Sequence, residues 1–215
     1  MGDEMIVAIH QPHYMPWLGY LWKIKHSDVF VISDDLQYTK DSFINRNRIV
    51  VNNKPHWLTI PILIKGKSGQ LIKDVRINWD RDWNRKHFYM IRYNYPNIDR
   101  EKIEVLEKFF NYDLNDMLFN WCMRSMEFLC TEFGINTKFY FASELGITGT
   151  KTERLYNICK VLNADTYLSG QGGKNYMDES MFQDIKIEYR RWQPKSILSA
   201  LHFYLKDETR IFSNI

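Results

Sequence analysis

The chain has 215 residues, the size of one α/β domain, and its 45% hydrophobic and 26% charged content excludes a disordered or low-complexity protein. A formal net charge of +3 is too small to indicate nucleic-acid binding by itself, and we expect no DNA partner. Aromatic residues reach 15%, which favours a binding surface as well as a core, because tyrosine and tryptophan combine an apolar ring with a polar group.

Cysteine usage and targeting signals indicate the same compartment. The three cysteines include no C-x-x-C pair, which argues against a disulfide framework or a cysteine-based zinc site. No apolar run approaches the ~18 residues of a membrane span, and the first residues lack the basic and apolar regions of a signal peptide. We therefore expect a cytoplasmic protein without a membrane span.

The N-terminal segment has the pattern of a β-α-β unit. Residues 5–9 are apolar on both faces, as in a central strand of a parallel sheet. Residues 17–25 carry apolar side chains at helical spacing, and Pro16 is expected at the first position of that helix. Residues 28–32 are the second predicted strand, so this order predicts two parallel strands joined by a helix.

The rest of the chain divides into an irregular middle and a second alternating segment. In the middle, short strands are predicted at 48–51, 57–63 and 71–77, followed by helices at 82–94, 101–111 and 114–133, the last ended by Gly134. After it, strands are predicted at 138–142, 166–169 and 185–189, with a helix at 151–162. The sequence thus predicts an α/β fold, a Rossmann-like and mostly parallel sheet flanked by helices. Residues 1–215 are one predicted domain, with a β-rich and helical insertion at 48–135.

Polar clusters follow three of the predicted strands, at residues 10–13, 34–38 and 169–176. The carboxyl ends of parallel strands lie on one rim of a sheet, and open α/β sheets bind their ligands at that rim. The sequence therefore predicts that the three clusters form one site.

His10 and His13 stand in the turn between the first strand and the first helix. Imidazole accepts a proton near neutral pH, and the neighbouring helix N-terminus favours an anion such as phosphate. In the alternative interpretation His13 packs against Tyr14 and Trp17, and only His10 or neither histidine faces the cleft. Zinc is not expected, because the pair lacks the i, i+4 spacing and the glutamate of a zinc-protease helix.

Charged residues in the next segments suit a phosphorylated ligand. Asp34 and Asp35 would hold Mg²⁺ with a nucleotide or bind sugar hydroxyls, unless they cap a turn. Arg46 and Arg48 fall on the same face of an extended segment, which makes a fork for phosphate that Lys40 would join, unless this is a solvated strand edge.

The segment after the strand at 166–169 is rich in glycine and ends at Lys174. Glycines allow successive backbone N–H groups to form an anion-binding nest, to which Lys174 adds charge. The spacing is not that of a Walker A loop, because Asn175 replaces the hydroxyl residue. Elsewhere His87 lies on an amphipathic helix, where a histidine at the edge of the core is expected.

Four stretches together resemble the WbqC-like family: residues 9–20, 34–38, 45–48 and 167–176, with their Q-P-x-x-x-P-x-x-G, D-D-x-Q and N-R-N-R patterns. That family is associated with bacterial O-antigen and related polysaccharide gene clusters. The resemblance implies transfer of an acyl or aminoacyl group, such as glycine, to an amino sugar. In one respect the chain departs from the family, since Ser199 stands where an acidic residue is usual.

The leading hypothesis is therefore a cytoplasmic transferase that acylates the amine of a nucleotide-linked amino sugar. In it His10 is the general base, His13 or Gln11 positions the acyl carbonyl, and Asp34 or Asp35 binds the amine or hydroxyls. Arg46, Arg48 and the glycine-rich segment hold phosphates. The acyl donor is the one cofactor required, and a carrier protein, a coenzyme or an aminoacyl-tRNA would bring it.

Two alternatives stay open: a nucleotidylyltransferase or adenylate-forming enzyme that uses the His-x-x-His pair with Mg²⁺, and a non-catalytic nucleotide-sugar-binding protein. The predicted catalytic residues are His10, His13, Asp34 and Asp35. The predicted substrate-binding residues are Gln11, Tyr14, Trp17, Gln37, Lys40, Asn45, Arg46, Asn47, Arg48, Ser169, Gly172, Gly173, Lys174 and Tyr176. No metal ligand is predicted, and the sequence identifies neither the sugar, the donor nor the oligomeric state.

Overall fold

A computed structural model describes residues 4–64, 66, 68–112, 115–189, 192, 194 and 196–212. Five strands form one all-parallel sheet. They are β1 (Ile6–His10), β2 (Val29–Ile32), β5 (Lys138–Phe141), β6 (Thr166–Ser169) and β7 (Lys186–Tyr189). Their order across the sheet is β5-β2-β1-β6-β7, which confirms the predicted α/β fold and places β1 in the centre.

Six helices accompany the sheet in the described residues: α1 (Leu18–Lys25), α2 (Trp83–Asn94), α3 (Arg100–Phe110), α4 (Leu118–Glu132), α5 (Lys151–Val161) and α6 (Ala200–Tyr204). Within that part of the chain, no helix has both the length and the apolar character needed to cross a membrane. Helix α1 begins after Trp17 rather than at Pro16, so Pro16 precedes the helix instead of starting it.

Both faces of the sheet are buried at its centre, which explains why β1 and β2 are apolar at almost every position. On one face Ala8, Phe30 and Leu168 pack in a large core that includes α1 and α4. On the other face Val7 and Val31 pack in a smaller core with residues of α5. Helices α1 and α5 therefore lie on opposite faces.

The chain order of the strands reverses next to β1. From β1 the chain moves outward to β2 and then β5, and it returns to the other side of β1 with β6 and β7. In such a sheet a crevice opens at the carboxyl ends of the two strands where the direction changes, here β1 and β6.

The middle segment adds an antiparallel hairpin, β3 (Arg46–Val51) and β4 (Lys54–Thr59). Asn52 and Asn53 form its turn with positive φ angles of 49° and 60°, as a two-residue hairpin turn with right-handed strand twist requires. Ile49 and Leu58 of the hairpin join the larger core.

Two predictions for the middle segment have different outcomes. The predicted strand at 71–77 is wrong: Ile72–Asp74 form a 3₁₀ turn, and the β-pairing of the segment is limited to isolated bridges at Leu71, Arg76 and Ile77. Gly134 does end α4, with a φ of 65°, and the amide of Ile135 donates back to the carbonyl of Cys130 at 2.8 Å. Residues 113 and 114, at the predicted start of that helix, lie outside the described residues, and α4 begins at Leu118.

Candidate functional site

A cavity of about 420 Å³ opens at the carboxyl ends of β1 and β6, where the strand order reverses. We call it the switch-point cavity. Its lining comes from His10 of β1, from Trp17, Gly19, Tyr20, Trp22 and Lys23 in and beside α1, from residues 169–172 after β6, and from Trp192, Pro194 and Ile197. Four predicted site residues, His10, Trp17, Ser169 and Gly172, therefore meet in one cavity.

The backbone carbonyl of Gln11 fixes two side chains of this cavity. It accepts a hydrogen bond from the Tyr20 hydroxyl at 2.8 Å, and the Nδ1 atom of His10 lies 3.1 Å from it. Because a carbonyl only accepts, Nδ1 of His10 carries the proton and Nε2 is the unprotonated nitrogen. No group in the described part of the chain forms a hydrogen bond to this Nε2, so the half-buried His10 retains an acceptor for a ligand.

Lys23 is a candidate site residue that the sequence reasoning missed. Its side chain is buried, with 7% of the residue exposed, and its ammonium donates to the carbonyl of Ile9 at 2.8 Å. No carboxylate of the described residues forms an ion pair with it, and none lines the cavity. Burial lowers the pKa of Lys23 to about 7, and buried lysines with such values are typical of active sites.

The two histidines are also held neutral. Burial, followed by the charge of Lys23, lowers the pKa of His10 to about 3. Burial and the neighbouring His10 and Lys23 hold the pKa of His13 well below its usual range. The expected titration of His10 near neutral pH is therefore wrong, because its imidazolium would form in a desolvated position beside a cation.

His13 lies behind the cavity rather than in its lining. Its ring stacks on Tyr20 at 4.6 Å between centroids and meets the edge of His10 at 4.8 Å. On its other side Phe43 lies 5.7 Å away. Its Nδ1 has no hydrogen-bond partner among the described residues. The alternative prediction that only His10 faces the cleft agrees with this placement, although the packing partners are Tyr20 and Phe43.

Two glycines shape the walls of the cavity by leaving space for neighbouring side chains. A Cβ atom at Gly19 would lie 2.3 Å from the Trp17 ring, so only glycine leaves room for that indole. A Cβ atom at Gly173 would lie 2.3 Å from the hydroxyl of Ser169. These two glycines therefore allow Trp17 and Ser169 to occupy the positions from which they line the cavity.

The glycine-rich segment forms a 3₁₀ helix, Gln171–Asn175, rather than an anion-binding nest. None of its glycines has a positive φ, and a nest needs alternating right- and left-handed residues. Lys174 lies 5.0 Å from the Tyr189 ring, Tyr176 is 64% exposed, and neither lines the cavity. The predicted nest is therefore wrong, and of this segment only residues 169–172 reach the cavity.

Asp34 and Asp35 both have partners within the protein. The Asp34 carboxylate accepts hydrogen bonds from the amide and the hydroxyl of Ser143, at 3.0 and 2.6 Å. Asp35 receives Arg154 on both carboxylate oxygens, at 2.8 and 2.6 Å. Neither lines the switch-point cavity, and the contacts fix the turn after β5 and the helix α5 to the end of β2. Among the described residues, no group of three or more histidine, cysteine or acidic side chains is arranged to hold a metal ion.

Arg46 lines a different cavity from His10 and Ser169. Of the three strand-end clusters, the one at 34–38 does not reach the cavity that the other two line, so the prediction that they form one site is wrong. The second cavity, of about 540 Å³, lies beside the β3–β4 hairpin, and we call it the hairpin cleft. Its lining includes the predicted residues Lys40, Asn45 and Arg46. The guanidinium groups of Arg46 and Arg48 lie 4.4 and 4.9 Å from the centroid of the Trp57 ring, which agrees with the prediction that they share a face of the strand.

A line of aromatic rings separates the two cavities. Tyr20, which lines the switch-point cavity, stacks on His13, and His13 lies against Phe43. Phe43 is 5.8 Å from Trp57, which lines the hairpin cleft. The two cavities share no lining residue.

Three predicted binding residues have mainly structural contacts. Tyr14 is fully buried with its hydroxyl 3.0 Å from Nδ1 of His87. Asn47 is fully buried and donates to the carbonyl of Met15 at 2.7 Å. Asn45 donates to the carbonyl of Ile60 at 2.9 Å, although it also lines the hairpin cleft. His87 is itself buried, as expected, with its pKa lowered to about 3 by burial.

Two other sequence predictions concern exposed or capping positions. Gln37 is exposed and forms an isolated bridge with Leu71. Ser199 caps α6 by accepting from the amide of Leu201 at 3.1 Å, and its hydroxyl donates to the carbonyl of Met15 at 2.7 Å. An aspartate would also cap the helix, but only a hydroxyl adds the second bond, so a structural role explains a serine here.

Comparison with known proteins assigns the chain to a family. The family model of the WbqC-like protein family matches residues 11–198. The chain is 33% identical over 183 residues to the uncharacterized protein Rv1507c of Mycobacterium tuberculosis, across 84% of this chain and 79% of that protein. No solved structure matches the chain. Every lining residue of both cavities except His10 lies inside the matched segment, and the chain belongs to the WbqC-like protein family.

Proposed function

We propose that the protein is a cytoplasmic transferase of bacterial surface-polysaccharide biosynthesis. It transfers an acyl or aminoacyl group, for example glycine, to the amine of a nucleotide-linked amino sugar in the switch-point cavity. The observation that carries the proposal is the buried Lys23, which lines this cavity next to His10 and has no carboxylate partner among the described residues. The polysaccharide context rests on the family resemblance.

The reaction needs a base at the attacking nitrogen. The lone pair of the sugar amine attacks the acyl carbonyl carbon, a C–N bond forms, and the bond to the donor's leaving group breaks. The attacking nitrogen must then lose a proton, which neutral Lys23 takes up. A pKa of about 7 suits this role, because a base near the working pH combines a large neutral fraction with useful basicity.

His10 has a different task from the one expected from the sequence. With a pKa of about 3 its imidazole is a weak proton acceptor, but its Nε2 still accepts a hydrogen bond. Held at Nδ1 by the Gln11 carbonyl, the ring orients the sugar amine toward the donor. The substrate amine thus meets two neutral nitrogen acceptors, His10 and Lys23.

The cavity has the size and the walls for a sugar ring. Its volume of about 420 Å³ lies in the usual range for small-molecule sites, ~300–1,000 Å³. Trp17, Trp22 and Trp192 line it and offer apolar faces against which a sugar ring packs, while the polar groups come from β1, from Lys23 of α1 and from the end of β6 with the turn that follows.

The test is a transfer assay with purified protein and a sugar nucleotide that carries a free amine. Acyl-coenzyme A, an acylated carrier protein and an aminoacyl-tRNA are offered in turn, and the N-acylated product is measured by mass spectrometry. We expect product with one donor, and a rate ~10²–10⁴-fold lower for Lys23→Met, the range for loss of a general base. Lys25→Met, two positions along the same helix but exposed, is the matched control.

Two results would contradict the proposal. Product formation by Lys23→Met at the wild-type rate would show that Lys23 is not the base. Binding of the sugar nucleotide without turnover on any donor would favour a non-catalytic binding protein. The nucleotidyl-transfer alternative has less support. It needs a carboxylate for Mg²⁺, and the carboxylates of Asp34 and Asp35 already engage Ser143 and Arg154.

A further inference from the structure

The hairpin cleft concentrates positive charge. It is lined by four cationic side chains and one carboxylate: Lys40, Arg46, Arg81 and Lys86, with Asp41. The whole chain has a formal net charge of +3, so this single lining holds an excess as large as that of the entire protein. A cleft with one sign of charge on low-dielectric walls attracts oppositely charged ligands.

Arg46 is the best-ordered cation of the cleft. Its guanidinium lies over the Trp57 ring, which fixes its plane. One terminal nitrogen lies 2.9 Å from the Asp41 carboxylate and the other donates to the Asp41 carbonyl at 2.6 Å. The Nε atom is buried and has no partner among the described residues. Arg46 is thus held in a fixed orientation, and its two terminal nitrogens become available to an anion when Asp41 is displaced.

The present partner of Arg46 is easily replaced. The Asp41 side chain is 63% exposed, and an ion pair in such a position contributes little because water screens it. A phosphate group brings more charge and more acceptor oxygens than one carboxylate, and the planar guanidinium fork matches its geometry. A phosphorylated ligand would therefore compete successfully with Asp41.

The rest of the lining limits the size and character of the ligand. The cleft measures about 540 Å³ and includes the apolar residues Ile60, Pro61 and Ile62. Trp57 is 37% exposed and offers an aromatic surface beside the cations. We propose that the hairpin cleft binds a small diphosphate-bearing molecule, with Arg46 as the anchor and Lys40 and Lys86 beside it. This site is separate from the switch-point cavity and does not depend on the proposed transfer reaction.

The test measures binding of inorganic pyrophosphate and of uridine diphosphate by titration calorimetry at low salt, with the full chain. The decisive variant is Asp41→Asn, which removes the competing carboxylate. Asp41 has a φ of 62°, a conformation that asparagine adopts readily, so the turn is preserved. We expect Asp41→Asn to bind pyrophosphate about threefold more tightly, the size of a lost exposed pair, and Arg46→Met to bind at least ~10-fold more weakly.

A matched control separates this effect from a general change in charge. Asp116→Asn breaks a comparable exposed ion pair, with Arg76 at 3.0 Å, outside the cleft lining, and should leave binding unchanged. Circular dichroism checks the fold of Arg46→Met, and if that variant unfolds, Asp41→Asn alone decides. The proposal is overturned if wild type binds neither probe, if Asp41→Asn does not tighten binding, or if Asp116→Asn tightens it equally. None of these results depends on the transfer assay.

Discussion

Lys23 of the switch-point cavity and Arg46 of the hairpin cleft have opposite environments. In the switch-point cavity Lys23 is buried, has no carboxylate partner among the described residues, and its pKa falls to about 7. In the hairpin cleft Arg46 stays partly exposed, pairs with Asp41 and remains a cation. Because desolvation disfavours charge, burial converts a basic side chain into a proton acceptor, whereas exposure keeps it an anchor for anions. Under the two proposals, basic residues of one protein serve two kinds of chemistry.

The largest expected effect in this comparison is the pH dependence of the transfer rate. The rate should rise with pH up to about 7, where Lys23 loses its proton, and then level off. Below that value it should fall ~10-fold per pH unit, as expected for a single required base. Initial rates measured between about pH 5 and 9 check this.

Replacing Lys23 by arginine gives the sharpest contrast between the two cavities. Lys23→Arg places in the switch-point cavity a side chain that stays charged, as Arg46 does in the hairpin cleft. We expect it to lose the transfer reaction at every pH. A rate that stayed high in Lys23→Arg, or a wild-type profile without a step near pH 7, would contradict the assignment of Lys23 as the base.

The second test concerns folding stability. The unfolded chain keeps Lys23 protonated up to its ordinary pKa of 10.5, and the folded chain only to about 7. Between these two pKa values Lys23 is protonated in the unfolded state but not in the folded state, so the free energy of unfolding rises with pH. Below about pH 7 Lys23 is protonated in both states, and the folded state carries the full cost of a buried charge. Lys23→Met should therefore increase the free energy of unfolding near pH 6 by on the order of 2–4 kcal/mol.

The gain from Lys23→Met should shrink as the pH rises from 7 toward 10. Urea denaturation at several pH values measures it, and Lys25→Met, exposed on the same helix, should change stability by less than ~0.5 kcal/mol. A gain that did not depend on pH would show that packing, and not charge, had changed.

The smallest effect is expected at Gly19. Alanine forms helices better than glycine by ~1 kcal/mol, yet a Cβ here would lie 2.3 Å from the Trp17 ring. We expect Gly19→Ala to destabilise the protein by ~1–3 kcal/mol and to disturb the switch-point cavity without affecting pyrophosphate binding in the hairpin cleft. Gly172→Ala, on the opposite wall and with no atom within 4 Å of its Cβ, is the thermal-unfolding control.

The fold was predictable where the apolar pattern of a strand is enough to identify it. The strands at the core of the sheet are apolar on both faces, so their parallel arrangement and the meeting of His10 with Ser169 at one rim followed from the sequence. The segment 71–77 also carries apolar residues at intervals, but among the described residues it has no partner strand in register, and Ile72–Asp74 form a 3₁₀ turn. Composition alone does not supply the partner that makes a strand.

The site was predictable only in part, because its decisive features are tertiary. Lys23 stands in a helix like any surface lysine, and its burial depends on β1, whose Ile9 carbonyl receives the ammonium. Asp34 and Asp35 have the pattern of a metal or sugar site, but Ser143 and Arg154, more than a hundred residues further along the chain, occupy them. A signal for Lys23 did exist, since it interrupts the apolar run formed by Leu21, Trp22 and Ile24.

The central position of β1 has a consequence for synthesis on the ribosome. Its first neighbour, β2, emerges soon after it, but the other neighbour, β6, begins only at Thr166. Until then one edge of an apolar strand has no partner, and such an edge invites pairing with other chains. The switch-point cavity is completed later still, by Trp192 and Ile197. A nascent chain thus carries an open strand edge until β6 has emerged, and the cavity takes shape only after that.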